Sequence, residues 1–118
     1  MKPTIFLLIG LLSFSAHAKW SSCGIADWEC HERQHAVAAK KLQKIEPQLR
    51  RLNPTVADRF KVSQRLWLKF AEADCRMESE PAAESQGSGY ARTYDRCMAN
   101  IYTERLMQME KIVEFLKR

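Results

Sequence analysis

The sequence predicts a small all-α fold, an antiparallel helical hairpin or three-helix bundle stapled by two disulfide bonds. Apolar residues recur at steps of three and four along three segments of the chain, which is the spacing of amphipathic helices. No stretch rich in β-branched residues alternates apolar with polar side chains, so we expect almost no strand. The four cysteines all follow a hydrophobic leader, and an even number of cysteines in an exported chain favours disulfide pairing.

Residues 1–18 have the pattern of a secretory signal peptide. Lys2 supplies the positive charge, residues 5–14 are mostly apolar, and Ala16–Ala18 places small side chains at the two positions that a signal peptidase recognises. The apolar stretch is too short to span a bilayer. We therefore predict cleavage near Ala18, a periplasmic or secreted mature chain without a stable membrane anchor, and one helical domain over residues 19–118.

The first helical segment carries an apolar stripe formed by Ala38, Leu42, Ile45, Leu49 and Leu52. Pro47 lies inside this pattern, where it removes a backbone donor and clashes with the preceding turn. We therefore expect a kink or a break near residues 44–46.

The second segment opens with Asn53 and Pro54, an N-cap residue followed by a proline at the first helical position. Its predicted apolar face is formed by Val56, Phe60, Trp67 and Phe70. We expect Trp67 to be a structural core residue, the helix to persist to about Met77, and Pro81 to end it.

The stretch from Glu80 to Gly89 is typical of a loop, because Pro, Ser and Gly are frequent in it. The third helix is predicted to begin near Gly89 and to run almost to the C-terminus. Its apolar face is formed by Tyr90, Tyr94, Cys97, Ile101, Met109, Ile112 and Leu116. Arg105 interrupts this face, and it either extends its charge to solvent or forms a buried ion pair with Glu72 or Asp74, which we favour.

Helices joined by short loops pack antiparallel, and this packing brings Cys75 level with Cys97. We therefore predict this disulfide, which leaves Cys23 and Cys30 to each other. Four thiolates can also bind zinc. However, no two of these cysteines have the two-residue spacing of a zinc knuckle, and export disfavours thiol ligands, so we favour disulfides.

Charge is distributed unevenly along the chain. After cleavage 18 basic and 14 acidic residues remain, a net charge of +4. Residues 31–69 carry +7, whereas residues 70–84 carry −4. The aromatic residues within this run, Phe60 and Trp67, belong to the predicted apolar face of a helix and not to a stacking platform for bases. The exported compartment also holds little nucleic acid, so we expect no nucleic-acid partner. The basic run is most simply a solvated helix face.

The sequence from His31 to His35 fits the H-E-x-x-H motif, in which two histidines bind zinc and the glutamate activates a water molecule. A catalytic zinc site needs a third protein ligand, and the one other histidine, His17, lies in the leader. We therefore expect a solvated helix start with no metal, no cofactor and no catalytic residue. A small zinc metallopeptidase that uses Glu32 is the alternative from another functional class.

Two parts of the chain carry a family resemblance. The run from Ser63 to Cys75, Ser-Gln-Arg-Leu-Trp-Leu-Lys-Phe-Ala-Glu-Ala-Asp-Cys, is followed by Gly87-Ser88-Gly89-Tyr90, by Cys97 and by Thr103-Glu104-Arg105. Together they resemble the LprI-type lysozyme inhibitor N-terminal domain family, over residues 30–110 or so. The chain departs from the family where it has Ala71, since relatives often have arginine there, and in the close spacing of Cys23 and Cys30.

The resemblance implies an exported, non-enzymatic protein whose partner is lysozyme or another cell-wall hydrolase; an immunity-type or envelope structural protein is the alternative. A chain with a charge of +4 is repelled by a basic lysozyme, except at its acidic segment. We therefore predict that Glu78, Glu80 and Glu84 contact the partner and that Tyr90 adds apolar area. The alternative is a solvated turn.

Overall fold

The structure is a computed structural model that describes residues 23–24, 26–83 and 89–118. It contains the helices α1 (Trp28–Gln43), α2 (Ile45–Leu52), α3 (Pro54–Ala83) and α4 (Gly89–Leu116). These ranges contain no strand, so the all-α prediction is confirmed. None of these four helices combines the length and the apolar character needed to cross a bilayer. The predicted signal peptide and Glu84 lie outside the described residues.

The first predicted segment is broken at Lys44, a single turn residue between α1 and α2, as expected. Pro47 is the third residue of α2. The first four backbone N–H groups of a helix have no partner inside it, so the proline forfeits no helical hydrogen bond there. The proline thus fits the start of a new helix better than the middle of a long one.

The predicted start of α3 is confirmed. The Oδ1 atom of Asn53 accepts hydrogen bonds from the backbone N–H groups of Thr55 and Val56, at 3.1 and 3.3 Å. These contacts satisfy two of the donors left free at the helix start.

The predicted end of α3 at Pro81 is wrong, because the helix continues to Ala83. A proline in the last turn removes one hydrogen bond, which tertiary packing can offset. Ser79, two residues before it, is fully buried and donates its hydroxyl to the Cys75 carbonyl at 2.6 Å. The packing of this turn therefore outweighs the local penalty.

Two apolar clusters form the core. The larger one joins all four helices through Ala38, Leu42, Ile45, Leu49, Ala57, Phe60, Leu106, Met109 and Val113. The smaller one consists of Ala71, Cys75, Cys97 and Met98. Trp67 and Tyr102 pack against both clusters, and their rings meet edge to face at 4.9 Å between centroids. This aromatic pair therefore makes the two clusters one continuous core.

The predicted apolar faces are partly wrong. Phe70 is 58% exposed, whereas its neighbour Ala71 is fully buried against α4. Leu52 and Ile112 are also exposed, and Val113 is buried instead of Ile112. Steps of three and four from Trp67 lead equally well to residue 70 or 71, and the small alanine allows the helices to approach closely.

Both predicted disulfides are present. Cys75–Cys97 joins α3 to α4 with 5.5 Å between Cα atoms, and Cys23–Cys30 ties the preceding segment to the first turn of α1 with 5.7 Å. All four cysteines are therefore paired.

Arg105 is buried, but the predicted ion pair with Glu72 or Asp74 is wrong. Its Nε atom donates to Oε1 of Gln64 and its Nη2 atom to Oγ of Ser63, both at 3.0 Å. Glu72 lies eight residues beyond Gln64, about 12 Å further along α3. The guanidinium therefore donates to the neutral side chains of α3 that lie directly opposite Arg105. Burial lowers the pKa of Arg105.

The burial pattern of α3 predicts that Trp67 and Phe70 contribute differently to stability. Replacing Trp67 by Ala should lower the free energy of unfolding by about 3 kcal/mol, since the indole links the two clusters. Phe70→Ala should cost less than about 1 kcal/mol, because its ring is mostly exposed. Urea unfolding of the two variants beside the wild type measures both values, and equal losses would contradict the described orientation of α3.

Candidate partner-binding surface

The predicted contact residues lie at one end of the α3–α4 hairpin. Glu78 and Glu80 are exposed on the last turns of α3, so Glu80 belongs to a helix and not to the predicted loop. Tyr90 is half-buried in the first turn of α4, and its ring stacks on Tyr94 at 6.3 Å between centroids. Glu84, the third predicted acid, lies outside the described residues.

This end of the hairpin is held by covalent and packed contacts. Glu78 stands one turn after Cys75, and its Oε2 atom lies 3.2 Å from Sγ of Cys97 in the partner helix. Ser79 is fully buried between these exposed acids. Because the backbone under Glu78 and Glu80 is already fixed, less ordering is needed when a partner binds them.

The carboxylates of this end are not used in ion pairs within the described chain. Residues 70–83 contain four acidic residues and one arginine, a net charge of −3. The ion pairs found among the described residues are Arg50 with Glu46, Arg50 with Asp58, and Lys117 with Glu114. All three lie toward the opposite end of α3 and α4, so none of them neutralises a carboxylate of the acidic end.

One group of candidate metal ligands occurs in the described part of the chain. Side-chain atoms of Asp74, Glu78 and Cys97 lie within 4.8 Å of one another. However, the sulfur of Cys97 is bonded to Cys75 and is no thiolate donor. The group therefore offers two carboxylates at the surface, which is too little for a metal centre.

The histidines of the H-E-x-x-H motif are packed, which corrects the prediction of a solvated helix start. His31 is 3% exposed, and its Nε2 atom donates to the Gly24 carbonyl at 3.2 Å. His35 is half-buried, with its ring edge-on to Tyr102 at 4.4 Å. Among the described residues, no third ligand joins these two rings.

Sequence reasoning missed two surface features. Val62, Leu66 and Phe70 follow one another at steps of four and are all more than half exposed on α3. The spacing of four residues is itself a sequence signal of an apolar stripe, whereas the predicted apolar face of the second segment includes only Phe70 of these three residues. In addition, the guanidinium of Arg92 lies 3.8 Å above the Trp28 ring, a cation–π contact between α1 and α4 that no local pattern indicates.

Comparison with known proteins supports the family resemblance. The family model described as Lysozyme inhibitor LprI matches residues 21–109. The match includes both disulfides, the first three helices and most of α4. No curated protein and no solved structure matches the chain significantly.

The geometry of His31 and His35 predicts that the chain holds no stoichiometric zinc. Metal analysis after dialysis should find well below one zinc per chain, in the wild type and in His35→Ala alike. Tight zinc at one per chain, together with a peptidase activity that His35→Ala abolishes, would contradict the prediction.

Burial of His35 predicts a pH-dependent stability. Burial lowers the pKa of His35 from its ordinary value of 6.5, against a smaller opposing effect of Asp95. The unfolded chain therefore binds this proton more readily than the folded chain does. The contribution of neutral His35 to the free energy of unfolding is fully present above pH 6.5 and decreases as the pH falls below that value. The free energy of unfolding of wild type minus that of His35→Gln should decrease below pH 6.5. A difference that stays constant or grows on acidification would contradict this.

Proposed function

The chain belongs to the LprI lysozyme inhibitor family, and we propose that it is an exported binding protein that inhibits a lysozyme or a related peptidoglycan-cutting enzyme. The observation that carries the proposal is the family match over residues 21–109. This range begins just after the predicted cleavage site and covers nearly all of the described helical body. The family match therefore covers almost the whole domain and not only one motif.

Two observations support export. Residues 1–18 have the charge, apolar core and small-residue site of a signal peptide. All four cysteines form disulfides, which persist in oxidising compartments and are rare in the cytosol. Peptidoglycan-cutting enzymes act in such a compartment, so inhibitor and target would meet there.

Binding rather than catalysis is supported by how the chain uses its reactive side chains. His31 fixes the segment around Gly24, His35 packs on Tyr102, and both sulfur pairs are oxidised. General acid–base catalysis requires a positioned group within reach of the substrate. Here the two histidines serve the packing of α1 and the cysteines join parts of the chain covalently. This use of the reactive side chains fits a protein that works by occupying a surface.

We place the enzyme contact at the acidic end that carries Glu78 and Glu80. Many lysozymes are strongly basic, and complementary charge raises the rate of association. The net charge of −3 on residues 70–83 is free of ion pairs within the described chain. Tyr90, stacked on Tyr94 at the same end, adds an aromatic surface that is already ordered.

Inhibition of a chicken-type lysozyme by the purified mature chain tests the proposal. The variant Glu78→Gln/Glu80→Gln/Glu84→Gln should inhibit roughly tenfold less well, at about 0.5 kcal/mol for each charge removed. Its inhibition should also depend less on salt, because screening acts on the charges that were removed. The measurement is the inhibition constant at low and high ionic strength.

A matched control removes the same charge from the part of α4 that lies away from the acidic end. Glu104, Glu110 and Glu114 are exposed on α4, and changing all three to glutamine should leave inhibition within about twofold of wild type. Equal losses in both triple variants would show that only net charge matters and would exclude the acidic end as the contact. No inhibition by the wild type of any lysozyme or peptidoglycan-cutting enzyme tested would refute the function itself.

A further inference from the structure

An unpartnered apolar stripe runs along the outer side of α3. It consists of Val62, Leu66, Phe70, Ala73 and Met77, and we call it the outer stripe. The four large side chains are 57%, 62%, 58% and 69% exposed, and Ala73 is exposed as well. Steps of three and four put these residues on one helical face, which is about 22 Å long from Val62 to Met77.

A shallow groove borders the stripe near its N-terminal end. Arg59, Ser63 and Trp67 line this groove together with three stripe residues. Ser63 is held there by the buried guanidinium of Arg105, and Trp67 by the core. The surface beside the stripe is therefore fixed by the interior of the same molecule. Contiguous exposed apolar surface of this kind marks interaction sites in soluble proteins.

The net charge of α3 changes sign near the middle of the outer stripe. Residues 54–69 contain four basic and one acidic residue, a net charge of +3, and residues 70–83 have a net charge of −3. The change falls between Lys69 and Phe70. Except for Asp58, which pairs with Arg50, none of the charged residues of α3 forms an ion pair with another described residue.

We propose that the outer stripe binds a second copy of this chain, with the two α3 helices antiparallel about a two-fold axis near Phe70. A symmetric interface uses the same patch on both copies. The antiparallel arrangement places Val62 level with Met77 of the second copy and Leu66 level with its Ala73. The small alanine leaves room for the leucine, and the two Phe70 rings lie near the axis.

The charges select the antiparallel orientation and disfavour the parallel one. In an antiparallel pair, each half with +3 lies beside a half with −3. Arg59 is then level with Glu80 of the second copy, and the symmetry forms this pair twice. Within one chain these residues are 21 positions apart, about 31 Å along the helix, so they cannot pair internally. A parallel pair would bring halves of like charge together, which is unfavourable.

The same charge pattern disfavours the other occupants of an apolar stripe. A basic enzyme would be repelled by the half that carries Arg59 and Lys69, and an anionic lipid surface by the half that carries Asp74 and Glu80. A partner with the reverse order of charge fits both halves. A second copy turned by the two-fold axis has this order by symmetry.

Sedimentation velocity of the free mature chain, with both disulfides intact, tests the proposal over a range of concentrations. We expect a monomer–dimer equilibrium that reaches mostly dimer by about 100 μM. Leu66→Glu should shift the equilibrium at least about tenfold toward monomer. Phe115→Glu is the control, because Phe115 is the most exposed aromatic residue among those described but lies on α4, and it should leave the equilibrium unchanged.

A charge exchange tests the antiparallel register. Arg59→Glu and Glu80→Arg should each weaken the dimer several-fold, and the double variant should restore it to within about twofold of wild type. Circular dichroism confirms that each variant keeps its helices. A wild type that remains monomeric at about 200 μM, an unchanged equilibrium in Leu66→Glu, or a double variant as weak as the single ones would overturn the proposal. Since no enzyme is present, the result is independent of whether the chain inhibits a lysozyme.

Discussion

The antiparallel pairing of α3 with α4 is the constraint on which the rest of the molecule depends. It is fixed covalently where Cys75 meets Cys97 and by hydrogen bonds where Arg105 reaches Ser63 and Gln64. The helices α1 and α2 add their apolar sides to this pair, since α1 packs on α4 and α2 packs on both. Any shift of α3 along α4 would therefore separate Trp67 from Tyr102, the pair that links the two core clusters. It would also disturb the packing of α1 and α2 on these helices.

Arg105 shows how a costly group can specify a structure. Burial removes water from the guanidinium, and no carboxylate replaces that favourable interaction. Hydrogen bonds to the neutral oxygens offset part of the loss, as do the faces of Phe60 and Trp67, whose ring centroids are 6.0 and 5.6 Å from the guanidinium carbon. A slip of one helical turn, about 5.4 Å, would move the guanidinium away from the neutral oxygens of Ser63 and Gln64 that it now binds. An unpaired buried guanidinium is costly, so Arg105 disfavours any register in which it would lose these two hydrogen bonds.

The features that the sequence predicts correctly depend on local chemistry or on simple topology. The cap at Asn53, the break at Lys44 and the pairing of four cysteines follow from short patterns that hold in most surroundings. The errors concern the rotation of one helix against another. Whether Phe70 or Ala71 faces α4 depends on how closely the backbones approach, and the partner of Arg105 depends on axial level. The charge pattern of the sequence indicates the acidic residues of the candidate site, whereas the helical position of Glu80 depends on the packing of Ser79.

The disulfide between Cys75 and Cys97 limits the effect of proteolytic cleavage. It closes a ring of backbone that contains the entire connection from α3 to α4. A single cut anywhere inside this ring leaves the two fragments covalently joined. The fragments also remain packed through the core on the other side of the bond. A nicked molecule therefore keeps both helices together, and reduction must follow cleavage before the halves can part.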